Sequence, residues 1–334
     1  MQNQQVDIQG NNVFALSPEL LNTLLKDHTL STEEQQVNIF WATDNYAHLG
    51  EGYQYYDPIT IGAITGSTGD VIQPRSVKSR ERQQQRSREM AEVFTPSWIC
   101  NKQNNLVDNV WFGRENVFNT EVDNPDGTHS WIPTEEIITF PEGLTWRNYV
   151  SDNRLEITCG EAPYLVSRYD AVTGEAIPVE RRIGLLDRKL RVVSENTSTS
   201  GEWLKAARLA FMSIYGYEWQ GDNLVLAREN MLYTFIDYYK AKFGKEPQLK
   251  SLQCIADIIS WNIWQMDGLK CVIPNSCKNT NEVIYDLFGT VTKKSIVCEG
   301  CKKKDIYKHN GMYCVIKDWS NGEVLTFVSL MKKK

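Results

Sequence analysis

The feature that most constrains the fold of this chain is one short stretch near its middle. Residues 155–165, Leu-Glu-Ile-Thr-Cys-Gly-Glu-Ala-Pro-Tyr-Leu, predict a short buried strand, an acidic residue, a tight Cys-Gly turn and the start of a helix. In an α/β sheet, such a strand end and the N–H groups of the following helix form a docking place for a nucleotide-like ligand. The stretch lacks the further glycines of a dinucleotide fingerprint, so it also fits an ordinary strand-to-helix turn. The neighbouring segments decide between the two.

Composition indicates an ordinary globular protein. The 334 residues suffice for one large domain with a smaller one, or for two medium domains. No apolar run approaches the roughly 20 residues of a membrane span, and the N-terminus has no secretory pattern. We therefore expect a cytoplasmic protein whose eight cysteines are reduced thiols or metal ligands. The net charge of -6 argues against indiscriminate coating of nucleic acid, but it permits a local basic groove.

Residues 1–88 predict a helical N-terminal extension that ends in a basic helix. Ser17-Pro18 is a cap and first-turn pair ahead of a leucine-rich helix face. Ser31 with Glu34 forms a capping box, which predicts a second helix. Residues 75–89 hold six basic residues against two acidic ones. Such a run is typical of a solvated helix face, and the alternative is a face that contacts phosphates.

The next helix start carries a resemblance to a known family. In residues 91–96, Ala-Glu-Val-Phe-Thr-Pro, Thr95 suits an N-cap and Pro96 the first helical turn; the apolar side would hold Trp98, Ile99, Leu106 and Val107. The segment resembles the one that opens the methyl-donor domain in adenine-specific (N6) DNA methyltransferases of restriction-modification systems. There the Thr-Pro turn closes over S-adenosylmethionine (AdoMet). The resemblance implies a doubly wound, Rossmann-like α/β domain over residues 89–270, in which 108–150 form an inserted hairpin.

The central stretch matches the next motif of that family in part. The family has an acidic residue, a proline, any residue, Cys, Gly, and a second glycine two places on. Glu156, Cys159 and Gly160 match, Ile157 replaces the proline, and Ala162 stands at the second glycine. The resemblance implies that the backbone around Cys159 and Gly160 passes under the methionine part of AdoMet, which Glu156 fixes. The alanine is acceptable there if Ala162 keeps a negative φ.

Two further strand ends carry an acid in the expected order. Residues 213–219 predict a strand that ends at Glu218 and precedes a long helix. In AdoMet- and dinucleotide-binding sheets, an acid at the end of the second strand accepts the ribose hydroxyls. Residues 258–268 predict a helix end followed by a strand that stops at Asp267. The resemblance implies that Asp267 receives the exocyclic amine of the AdoMet adenine.

Residues 271–334 form a cysteine-rich segment that predicts a zinc-ribbon-like structure. Cys298-Glu299-Gly300-Cys301 is a C-x-x-C knuckle, with further cysteines upstream and downstream. We predict the ligand set Cys277, Cys298, Cys301 and Cys314, with Cys271 and His309 as substitutes. The alternative is a set of thiols that bind no metal.

The sequence also lacks an expected motif. The family's catalytic signature, a polar residue followed by Pro-Pro and an aromatic, does not occur, because the chain contains no Pro-Pro. We therefore expect the AdoMet-binding portion of a split or truncated site-specific methyltransferase, with DNA and a second polypeptide that supplies the signature and target recognition as partners. The alternative is a non-catalytic AdoMet- and DNA-binding subunit of a restriction or defence complex. A nuclease is less favoured, because no Glu-x-Lys triplet occurs.

Overall fold

The computed structural model of the protein describes residues 10–89, 95–285 and 291–331. The described chain is a mixed α/β structure of helices and four small sheets. Its α-helices are α1 Gly10–Leu16, α2 Pro18–Leu25, α3 Ile61–Ile64, α4 Arg80–Glu89, α5 Ser97–Phe112, α6 Trp146–Ser151, α7 Leu185–Asn196, α8 Ser200–Met212, α9 Gly221–Phe243, α10 Leu249–Asn262 and α11 Glu299–Lys303. Its strands are β1 Asn119–Asp123, β2 His129–Pro133, β3 Arg154–Glu156, β4 Ile214–Glu218, β5 Ile263–Gln265, β6 Thr280–Tyr285, β7 Val291–Ile296, β8 Val315–Lys317 and β9 Val324–Thr326.

The central sheet is parallel and has the order β3-β4-β5. Helices α7 and α8 connect its first two strands, and α9 and α10 connect the last two. All three predicted strands are therefore present, and their carboxyl ends meet at one edge, as parallel pairing requires. A doubly wound sheet also needs strands beyond the first one. Within the described residues the sheet stops at β3, so the mixed α/β class is confirmed and the doubly wound arrangement is not.

The two faces of this sheet are covered by different parts of the chain. Ile214 and Ile263 belong to the main hydrophobic cluster, which draws residues from positions 13 to 263 and includes much of α9 and α10. Tyr217 and Trp264 point to the other face, because alternate strand residues do. There the ring of Phe327 packs 5.2 Å from Trp264 and 6.1 Å from Tyr217, between ring centroids. The C-terminal segment thus covers the second face.

Two local predictions are confirmed. The Ser17 hydroxyl caps α2 by accepting a hydrogen bond from the Glu19 N–H at 3.2 Å, and the four leucines of the helix are buried. The predicted hairpin consists of β1 and β2, which pair antiparallel across residues 124–128. Gly127 has a φ of 82°, which glycine adopts without strain. None of the described helices is both long and apolar enough to cross a membrane.

The predicted helix after Ser31 is wrong, because the segment is a loop. The Ser31 hydroxyl accepts a hydrogen bond from the Val37 N–H at 2.9 Å and donates one to the Val37 carbonyl oxygen at 3.1 Å. These two hydrogen bonds close the loop, so the Ser31 hydroxyl oxygen does not accept from the residue 34 N–H and does not cap a helix. The apolar residue Trp41 is nevertheless fully buried, so the apolar residues of this segment indicated burial correctly and a helix wrongly.

The helix after the Thr-Pro pair was predicted with the wrong cap and the wrong buried side. Helix α5 has Pro96 as its N-cap, so Thr95 does not cap it. Leu106 and Val107 are exposed by 62% and 42%. The buried side is polar instead, because a buried ion pair of 2.6 Å joins its Asp108 to Arg188 of α7. The other buried polar residues of this helix are Ser97, Asn101, Asn104 and Asn105.

Candidate ligand site and metal centre

The carboxyl ends of β3 and β4 bring a glutamate and a turn together. The Oε2 atom of Glu218 accepts a hydrogen bond from the Gly160 N–H at 2.8 Å. Its Oε1 atom accepts from the N–H groups of Trp219 and Gln220, at the start of α9, at 2.8 and 3.1 Å. The predicted ribose acid therefore lies directly against the predicted Cys-Gly turn, although 58 residues separate the two in sequence.

The turn after β3 has an unusual backbone. Thr158, Gly160 and Ala162 all have positive φ, at 47°, 53° and 63°. The condition under which Ala162 could replace the family's second glycine, a negative φ, is therefore not met, and this position counts against the resemblance. The predicted helix start is also wrong, because turns follow and the next α-helix begins at residue 185. A β-branched residue in the left-handed region is strained, and such residues cluster at functional sites. The strain makes this turn a candidate for function.

The Thr-Pro segment also reaches this turn. The side chain of Thr95 hydrogen-bonds to Tyr164, and the backbone N–H of Tyr164 lies 3.4 Å from Oε1 of Glu156. Four of the predicted AdoMet-binding residues, Thr95, Glu156, Gly160 and Glu218, are thus linked in one place. The N-terminal segment joins them, because the Arg75 N–H donates to Oε1 of Glu161 at 2.7 Å.

The two glutamates at the strand ends have raised pKa values. Burial raises the pKa of Glu156 well above its usual range, N–H groups of Tyr164 and Leu165 lower it, and the Glu218 carboxylate adds to the rise. Burial also raises the pKa of Glu218, against the N–H groups of Gln220, Gly160 and Trp219. Because the charge of Glu218 adds to the rise in the pKa of Glu156, the pair favours a state in which one carboxyl group keeps its proton.

Asp267 lies at the same sheet edge but faces a different neighbour. It follows β5, and its Oδ1 atom accepts from the Leu269 N–H at 3.0 Å. Its Oδ2 atom forms an ion pair of 2.9 Å with Lys270, whose charge also interacts with Cys277 and Cys301. The third predicted acid therefore stands between the sheet and the cysteine-rich segment.

Three cysteines and one histidine form a compact group in that segment. The ligand atoms of Cys277, Cys298, Cys301 and His309 all lie within 4.8 Å of one another. The three Sγ atoms are 3.5, 3.7 and 3.6 Å from the His309 Nδ1 atom. Zinc bonds of about 2.3 Å to sulfur and about 2.0 Å to nitrogen, arranged tetrahedrally, place these atoms about 3.5 Å apart. The group can therefore hold a metal ion of that kind.

Local backbone structure positions these ligands. Cys277 precedes β6, and Cys298 follows β7 as the N-cap of α11, which places Cys301 in the first turn of that helix. A Cβ atom at Gly300 would lie 2.6 Å from the backbone nitrogen of His309, so only glycine allows the close approach. The C-x-x-C knuckle therefore needs its internal glycine for packing.

The pKa of the Cys298 thiol is lowered, which favours loss of its proton. Burial raises its pKa, but the N–H groups of Cys301 and Asn310 and the His309 ring outweigh this effect and bring the pKa of Cys298 to about 6. The Asn310 N–H donates to its Sγ atom at 3.2 Å. The thiolate is the form that binds zinc.

The predicted ligand set is corrected at one position. Cys314 is fully buried, and its thiol donates to the Gln265 carbonyl oxygen at 3.3 Å, in the hydrophobic cluster behind the sheet. His309, named as a substitute, takes its place in the group. Its spacing from Cys301 is no standard knuckle, so the sequence ranked it only as a substitute. Four protein ligands leave no open position, which is the pattern of a structural site.

The basic helix is not simply a solvated face. Arg86 of α4 is 5% exposed and forms an ion pair of 2.8 Å with Asp222 in the first turn of α9. Lys78 lies 4.0 Å from the same carboxylate, and the Tyr46 hydroxyl donates to it at 2.7 Å. This buried pair could not be predicted from the sequence, because its members lie 136 residues apart and each is of a type usually found on the surface.

Comparisons with known protein families, curated proteins and solved structures find no match to this chain.

Proposed function

We propose that this chain is the AdoMet-binding portion of an adenine-specific DNA methyltransferase of a restriction-modification system. The observation that carries the proposal is the contact between Glu218 and the Gly160 N–H, at the carboxyl edge of a parallel sheet. In sheets of this type, ligands bind at that edge, with an acid on the ribose and a backbone turn beneath the rest. The sequence motifs described above give the proposal its chemical class.

Each of the predicted residues would contact a different part of AdoMet. Glu218 would accept the ribose hydroxyls, and the turn at 158–162 with Glu156 would hold the methionine part. Thr95 and Pro96 would cover the ligand from the side of α5. Asp267 would accept a hydrogen bond from the adenine amine, and this bond would replace its ion pair with Lys270. Once bound, AdoMet supplies an electrophilic methyl group.

The Cys3His group would hold a structural zinc ion. Three thiolates and a neutral imidazole match the ligand preference of zinc. The ion would fix the segment from Cys277 to His309, and Lys270, seven residues before Cys277, forms an ion pair with Asp267. The metal would therefore support the sheet edge and have no direct part in chemistry.

A second polypeptide would complete the enzyme. Methyl transfer to an adenine amine needs a group that polarises a weakly nucleophilic nitrogen and holds it in line with the methyl group. The chain contains no Pro-Pro and hence no recognisable signature for that task. The same absence favours the second candidate, a non-catalytic AdoMet- and DNA-binding subunit.

Calorimetric titration with AdoMet tests the proposal. The wild-type chain should bind, and Glu218→Gln should weaken binding about tenfold or more, because an amide replaces a charged acceptor of two hydroxyls. Glu246→Gln is the matched control, since Glu246 lies on the surface and forms an ion pair with the equally exposed Lys240. Unchanged metal content shows that the Glu218→Gln variant is folded. Equal affinity of wild type and Glu218→Gln would remove the ribose assignment.

A further inference from the structure

The positive charge of this acidic chain is concentrated in the cysteine-rich segment. Residues 271–334 hold 11 lysines against six acidic residues, whereas residues 1–270 hold 25 basic residues against 36 acidic ones. Opposite charge in two parts of one chain is typical of a protein whose basic part binds nucleic acid or another polyanion. Residues 298–308, which surround the Cys3His group, alone hold four lysines against two acidic residues.

Five lysines form one basic surface around the Cys3His group. The Nζ atoms of Lys303 and Lys308 lie 2.9 and 3.3 Å from the same Glu299 Oε1 atom, so the two ammonium groups are neighbours. The Asn310 side chain accepts from the Lys278 N–H at 3.2 Å and donates to the Lys278 carbonyl oxygen at 2.7 Å. These bonds bring Lys278 to the same place. The basic surface comprises Lys278, Lys302, Lys303, Lys304 and Lys308, which are all exposed.

The basic surface remains positive after its acidic neighbours are counted. Glu299 pairs with two of the lysines, and Asp305 is a second carboxylate, whose charge interacts with Lys303. A zinc ion with three thiolates carries one negative charge, so the five lysines exceed these groups by two. Residues 279–297 hold two lysines and two acidic residues and so add no net charge. Three of the five lysines form no ion pair within the described residues, namely Lys278, Lys302 and Lys304.

The basic surface also adjoins the proposed AdoMet site. Lys270 forms an ion pair of 2.9 Å with Asp267 at the sheet edge, and its charge interacts with Cys277 and Cys301. The Cys3His group is therefore close both to the carboxyl edge of the central sheet and to the five lysines. Exposed lysines are flexible point charges, which suit contact with backbone phosphates better than recognition of bases.

We infer that this basic surface binds the phosphate backbone of double-stranded DNA. B-DNA carries one negative charge per about 1.7 Å of its helix axis, so several neighbouring lysines can each contact a phosphate. Such contacts fix the position of the duplex and are independent of its sequence. The choice of DNA rests on the proposed function, whereas the charge and the geometry of the surface do not depend on AdoMet binding.

Two matched double variants of the full chain test the inference. Lys278→Gln with Lys302→Gln removes two positive charges from the basic surface and leaves the metal ligands in place. Lys205→Gln with Lys250→Gln removes two charges at exposed positions of α8 and α10 and is the control. The probe is a short DNA duplex of mixed sequence, and fluorescence anisotropy follows its binding at about 50–200 mM salt.

The salt dependence of binding counts the phosphate contacts. Each contact contributes about −0.9 to the slope of the logarithm of the affinity against the logarithm of the salt concentration. The Lys278→Gln, Lys302→Gln variant should therefore have a slope shallower by about 1.8 and should bind about tenfold or more weakly at about 100 mM salt. The control variant should keep the slope and the affinity of the wild type.

Three results would overturn the inference. They are absence of DNA binding by the wild type, equal effects of the two double variants, and tighter binding of an RNA duplex of the same sequence. Unchanged melting temperatures show that both double variants are folded. Glu218→Gln should weaken AdoMet binding and leave the salt slope for DNA unchanged, so failure of this inference and failure of the proposed function give different results.

Discussion

Glu229 shows how strongly single residues of α9 are affected by burial. It is 1% exposed, and burial raises its pKa from 4.5 to about 8. Above pH 4.5 the unfolded chain releases this proton, while the folded chain keeps it until about pH 8. Because the unfolded state then binds fewer protons, the free energy of unfolding falls as pH rises through this interval.

Replacement of this carboxyl should therefore stabilise the protein in a pH-dependent way. We expect Glu229→Gln to raise the melting temperature by about 5 °C at pH 8 and by much less at pH 5. The exposed Glu246→Gln serves as control and should change neither value. Thermal unfolding followed by circular dichroism at the two pH values measures the effect. A gain of the same size at both pH values would show that Glu229 is already ionised in the folded protein.

Thr158 is the strained residue whose replacement is easiest to interpret. Its φ is 47° and its side chain is exposed, so glycine removes the strain without loss of burial. We expect Thr158→Gly to stabilise the protein by about 0.5–1 kcal/mol. This net value is the free energy gained by relief of the backbone strain minus the free energy lost because glycine gives the unfolded chain more entropy. Thr158→Ala keeps a Cβ atom and should give a smaller gain. Denaturant titrations decide between them, and a destabilised Thr158→Gly would mean that this conformation is unstrained.

Sequence reasoning predicted strand ends correctly where the local sequence decides them, and it failed where distant partners decide. The position of Glu218 at the end of β4 was predicted because an apolar run ends at an acid and a helix follows. The positive φ of Ala162 was missed, because Glu161 is held by Arg75 and Tyr169, which the local sequence does not show. The polar side of α5 was missed for the same reason, since its buried charge depends on Arg188.

Among the elements, the metal centre gives the sharpest prediction. We expect about one zinc ion per chain, and its loss in Cys301→Ser and His309→Ala, because each removes one of four ligands. Cys314→Ser should keep the metal, as should Cys254→Ser, since neither residue belongs to the group. Metal analysis of the purified variants is the measurement. Loss of zinc in Cys314→Ser with retention in His309→Ala would restore the ligand set expected from spacing alone.

The C-terminal elements show what cysteine spacing can predict. Three ligands followed from the knuckle and the upstream cysteine, because such spacings fix two thiols on one turn. The fourth did not follow, because the path of the chain after α11 brings His309 to the group and takes Cys314 into the core beside β5. The three-dimensional path of the chain, rather than residue type, therefore determines which residue is the fourth ligand.

For the whole molecule, the account predicts a chain that needs a partner for activity. The isolated chain should transfer no detectable methyl groups to DNA, and activity should appear when a polypeptide with a Pro-Pro-aromatic signature is added. Tritiated methyl transfer to mixed-sequence DNA is the assay. Strong incorporation by the chain alone would reveal a catalytic loop of another kind. Addition of a signature-bearing polypeptide whose aromatic residue is replaced by alanine serves as the control.

Photochemical labelling with AdoMet that carries tritium in its methyl group tests the central claim most directly. Ultraviolet light attaches the bound ligand to the protein, and mass spectrometry of the peptides then locates the label. The account predicts label in the segment 156–164 or next to Thr95, at the carboxyl edge of the central sheet, and its loss in Glu218→Gln. Label confined to other parts of the chain, or equal labelling of wild type and Glu218→Gln, would contradict it.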